Sequence, residues 1–71
     1  MNFLCFVEFT EEAMPRMWRL VADNWDDAEM EVLGMLDELD GAYVARIVNQ
    51  DMKVRTLTPA KGGAAGRWTR H

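Results

Sequence analysis

The sequence predicts a single small α+β domain, one helix packed on a mostly antiparallel sheet in the order β-β-α-β-β. Three observations carry this. Short stretches of alternating apolar residues flank the centre of the chain, one segment of helical period lies between them, and 71 residues allow one core and no more. The globular unit is expected to span residues 1–58, with 59–71 a flexible basic tail rich in Gly and Ala.

From Phe3 to Thr10, Phe3, Cys5, Val7 and Phe9 share one face and Leu4, Phe6 and Glu8 the other. Three aromatics in seven residues favour a strand, and apolar groups on both faces place it away from a bare edge. Pro15 makes 11–15 a loop. A second strand covers Arg16 to Ala22, with Trp18, Leu20 and Ala22 opposite Met17, Arg19 and Val21. Asn24 is placed to cap a helix, Asp26 and Asp27 suit its first turn, and Gly41 can close its end. Ala28, Val32, Met35, Leu36 and Leu39 form one apolar stripe of 3.6-residue period. Gly34 costs roughly 1 kcal/mol against Ala inside a helix, which a close helix–sheet approach would explain. Tyr43 to Val48 reads as a third strand and Met52 to Thr58 as a fourth, joined by a turn at 49–51. After Pro59 the small residues have no period and offer little to bury.

Charge is unevenly distributed. Residues 1–40 hold 11 acidic and 2 basic side chains, residues 41–71 hold 1 acidic and 6 basic, and the chain totals −4. This polarity suits a molecule that meets a basic protein surface with one part and a polyanion with another. Solvated helix acids and a solubilising tail are the plainer account. No apolar run reaches the roughly 18 residues of a membrane helix, so a location in the cytoplasm, without membrane contact, is expected. One cysteine excludes an internal disulfide.

Catalytic chemistry is thin. There is no serine, and the one histidine is the final residue, His71. Cys5 lacks a neighbouring base and reads as core, and no set of His and Cys has metal-ligand spacing. The acidic pairs Glu11-Glu12, Asp26-Asp27 and Asp37-Glu38 fall where water solvates both members. In Lys61-Gly62-Gly63-Ala64-Ala65-Gly66 the lysine precedes its glycines and no helix follows, unlike a phosphate loop. No enzyme, metal or cofactor is expected.

Binding is the remaining class. Met14, Met17 and Trp18, with the acids Asp26, Asp27 and Glu31, are the candidate partner-binding residues, the first three equally suited to filling the domain's own core. Lys53, Arg55, Lys61, Arg67, Trp68 and Arg70 are the residues expected near nucleic acid, with Trp68 as a stacking ring.

The opening Met1-Asn2-Phe3-Leu4-Cys5-Phe6-Val7-Glu8-Phe9, the acidic stretch Asp23-Asn24-Trp25-Asp26-Asp27-Ala28-Glu29, the basic Gly/Ala-rich tail and the total length carry a resemblance. The chain resembles the small phage-encoded regulators of host RNA polymerase, of the Xanthomonas-phage type that inhibits initiation and suppresses termination. The resemblance implies a non-enzymatic protein in the host cytoplasm that docks near the RNA exit channel. It would touch the amino-terminal segment of the β′ subunit and the flap of the β subunit. There it would oppose σ-dependent initiation and keep nascent RNA, met only within the complex, from forming a terminator hairpin. A monomer is expected. Two other classes stay open: another phage host-takeover inhibitor (an anti-CRISPR or nuclease inhibitor with an acidic binding face), and an accessory subunit of a cellular complex.

Overall fold

The computed structural model describes residues 2–59 and 68–70. The elements are β1 (Phe3–Phe9), β2 (Arg16–Leu20), α1 (Trp25–Leu36), β3 (Ala42–Asn49), β4 (Val54–Pro59) and β5 (Trp68–Arg70). They form a five-stranded antiparallel sheet of order β2-β1-β3-β4-β5. The expected β-β-α-β-β order holds, and β1 lies inside the sheet, as its two apolar faces require.

The alternation of β1 sets the layers. Phe3, Cys5, Val7 and Phe9 are buried and meet Leu20, Ala45, Ile47 and Leu57 of the sheet with Ala28, Val32 and Leu36 of α1. A β-bulge opposite Glu8 and Phe9 inserts Tyr43 as an extra residue, so Val44 and Ala45 remain on opposite faces while Tyr43 is left exposed. At the far end of β3, Asn49 is buried and its Oδ1 accepts from the N–H groups of Asp51 (3.0 Å) and Lys53 (2.9 Å). This fixes a hairpin that puts Met52 at φ 64° and starts β4 two residues later than the sequence suggests.

Asn24 caps α1, its side chain accepting from the Asp27 N–H at 2.8 Å. The helix stops at Leu36 rather than running on to Gly41. Glu38 and Leu39 donate to Met35 and Leu36 carbonyls three residues back, so the chain tightens into a turn. Gly41, at φ 83°, serves the start of β3 instead, its carbonyl accepting from the Thr10 N–H at 2.9 Å. The close approach expected at Gly34 is absent: the residue is exposed and an added Cβ would meet nothing within 4 Å.

Residues 68–70 correct one expectation. They are not free but pair with β4, Pro59 opposite Trp68, and Trp68 is half-buried against the core cluster. Lys61, Arg67 and the remainder of the expected mobile tail lie outside the described residues.

Candidate interaction surfaces

Between residues 23 and 40 stand eight acidic side chains and no basic one. Folding gathers them on and around α1, whereas Arg46 and Arg55 of the basic half lie on opposite faces of the sheet. Some of these acids do structural work. The Asp27 carboxylate accepts from Asn24 Nδ2 at 3.1 Å, and both Glu31 oxygens accept from the Val21 N–H at 3.1 and 3.2 Å. Glu31 thereby covers a main-chain donor just beyond β2, the strand at one sheet edge. Asp26 is exposed in the first turn. Asp37 and Glu38 are exposed at the C-terminal end of α1, where the helix dipole disfavours anions. Met30, 72% exposed, is an apolar point within this acidic layer.

The expected Met14, Met17 and Trp18 cluster divides. Met14 is exposed in the loop and Met17 on one sheet face, whereas Trp18, opposite Cys5, is half-buried against the core on the other. Adjacent strand residues point to opposite faces, so Met17 and Trp18 do not form one grip.

The residues expected near nucleic acid divide as well. Lys53 is exposed at the β3–β4 hairpin. Arg55 lies on the helix side of β4, opposite Ile47, with its guanidinium 4.9 Å from the Trp25 ring centroid and Nη1 3.9 Å from Glu29 Oε1. Trp25 in turn packs edge-on against Phe3 at 5.0 Å. Arg55 therefore ties α1 to β4, in a position that its basic character and strand setting did not disclose. Trp68 is engaged by the sheet, as above, and Arg70 belongs to β5.

Two further features frame the surface. An open cleft of about 300 Å³ is lined by Phe9, Thr10, Glu11, Glu12, Asp40 and Gly41. At its side Arg16 lies over Phe9 at 4.6 Å and donates from Nε to Glu12 at 2.9 Å. Cys5 is wholly buried, and burial, with the Glu31 charge adding to it, pushes its thiol up to about 12. Among the described residues no group of three or more His, Cys, Asp or Glu is placed to hold a metal, and no helix is long and apolar enough to cross a membrane.

Comparison with protein-family models, curated proteins and solved structures gave no match to this chain.

Proposed function

We propose that this chain is a non-enzymatic regulator that docks on bacterial RNA polymerase, inhibits σ-dependent initiation and promotes antitermination. The observation that carries the docking mode is the acidic layer: eight carboxylates and no cation over residues 23–40, several of them exposed around α1. Such a layer complements a basic protein surface and accelerates encounter with it. Acids kept at a helix C-terminus, against the local dipole, are what a surface shaped for a partner would retain. The polymerase as target rests on the resemblance of the opening segment, the acidic stretch and the tail. Asp26, Asp37 and Glu38 are the contact residues of this reading, with Met30 as an apolar point. Lys53 and the basic residues of the tail are its links to RNA.

The test is binding of the purified chain to σ-holoenzyme, with abortive initiation measured in parallel. Binding that weakens at least tenfold in a Glu38→Lys, Asp26→Lys double variant, with loss of inhibition, is expected. No binding to core or holoenzyme overturns the reading. The same run of carboxylates favours one rival, an inhibitor whose acidic face occupies the nucleic-acid site of a nuclease. Inhibition of a CRISPR nuclease without polymerase binding would establish it.

A further inference from the structure

The face of the sheet turned away from α1 is covered by none of the described elements. The strand register places on it Met17 and Arg19 of β2, Leu4, Phe6 and Glu8 of β1, Val44, Arg46 and Val48 of β3, and Val54, Thr56 and Thr58 of β4. An antiparallel sheet with one solvated face ordinarily alternates apolar inside with polar outside. Here the alternation fails. Six of these eleven residues are apolar, and Leu4, Phe6, Met17, Val48 and Val54 adjoin one another across four strands. Val44 is buried yet belongs to this face rather than to the helix-side core, whereas Met17 and Val54 are 59% and 54% exposed.

We propose that this face is a self-association surface, on which a second copy of the chain packs sheet against sheet. Three features select a second copy. The first is charge. Glu8 and Arg46 on this face are already paired with each other, so covering them strands no lone charge. Arg19 lies on edge strand β2, where a long side chain reaches solvent from the rim of an interface. The second is the acidic layer, which stands on the opposite side of the sheet. Two copies joined through their open faces hold those layers apart, while contacts through the α1 side would oppose like charges. The third is area. The two longer molecular extents, 33 and 24 Å, leave room for a face up to the roughly 800 Å² per partner that a standard interface buries, and the eleven residues on it span four strands. A polyanion fits less well, because Arg46 is taken by Glu8 and little cationic charge remains between the apolar rows. The proposal does not depend on the polymerase reading, which uses the other layer.

Sedimentation equilibrium of the full chain, up to roughly 100 μM, tests it, because dimer content follows protomer concentration. The expected result is a reversible rise from 8.2 kDa to twice that mass. Val54→Glu and, independently, Met17→Glu should each weaken the dimer at least tenfold with an unchanged circular dichroism spectrum. Met30→Glu, a comparably exposed methionine on the acidic layer, should leave the equilibrium as it was. A monomer throughout the concentration range overturns the proposal. So does an equal effect of Met30→Glu and the sheet-face variants. Binding of a single-stranded oligouridylate that Phe6→Ala abolishes would also overturn it, by assigning the face to nucleic acid.

Discussion

Cys5 faces α1 from the middle of β1, and its thiol remains neutral in the folded chain up to about pH 12 against an ordinary value of 9.0. Below pH 9 it is protonated folded or unfolded and contributes no pH dependence. Between about 9 and 12 the unfolded chain releases a proton that the folded one retains, so stability falls as pH rises through that window. Thermal melts across it should show a steeper decline for the native chain than for Cys5→Ala. Equal slopes would show the thiol to be indifferent to folding. Gly34 gives the opposite kind of residue-scale result. Its φ is ordinary and space surrounds it, so Gly34→Ala gains helix propensity without a clash. Unfolding free energy should rise by about 0.5–1 kcal/mol in urea titrations. No change there would mean that the helix tolerates glycine for a reason outside propensity. The helical period showed that Gly34 sat inside a helix, but not that it faced water.

At the scale of elements, α1 carries a conflict between stability and charge. Its N-terminus is well arranged, with the Asn24 cap and acids in the first turn, whereas no basic residue occupies the last turn. Glu38→Lys should therefore stabilise the chain by about 0.3–1 kcal/mol in melts while weakening the proposed polymerase binding. A variant that improves both, or harms both, would separate the acidic layer from docking. The start of this helix was legible because a cap and a first-turn acid are local chemistry. Its end was not. Leu39 continues the stripe, and only the tightened turn at 36–39 shows where helical hydrogen bonding stops. Strand faces were legible wherever the period of two held, whereas the bulge at Tyr43 leaves no mark in composition. For Met52, a left-handed conformation in a non-glycine residue was invisible, since the buried Asn49 side chain imposes it from three positions away. The candidate site was least legible. Arg55 read as a free cation because its partners, Trp25 and Glu29, lie some thirty residues earlier in the chain.

Across the whole molecule an acidic helix layer stands opposite a sheet face on which six of the eleven residues placed by the register are apolar. The final segment belongs to this architecture through β5. Three residues carry too little pattern to announce a strand, and their pairing depends on β4 presenting an edge beside them. With Trp68 packed against the core, removal of residues 60–71 takes away a hydrophobic anchor as well as positive charge. A half-buried indole contributes about 1–2 kcal/mol, so the truncation should lower the melting temperature by about 5–15 °C. Trp68→Ala in the full chain should reproduce most of that loss, because the ring rather than the charge supplies it. The proposed polymerase binding, measured well below both melting temperatures, should stay within roughly tenfold, about 1.4 kcal/mol, since the acidic layer is intact. Any loss of the proposed antitermination in the truncation but not in Trp68→Ala then belongs to the tail's cations, whose RNA contact should weaken as salt rises. The contrary result is equally readable. If Trp68→Ala melts like the native chain yet abolishes antitermination, the indole stacks on RNA in the working complex, and the ring must leave its place beside the core to do so.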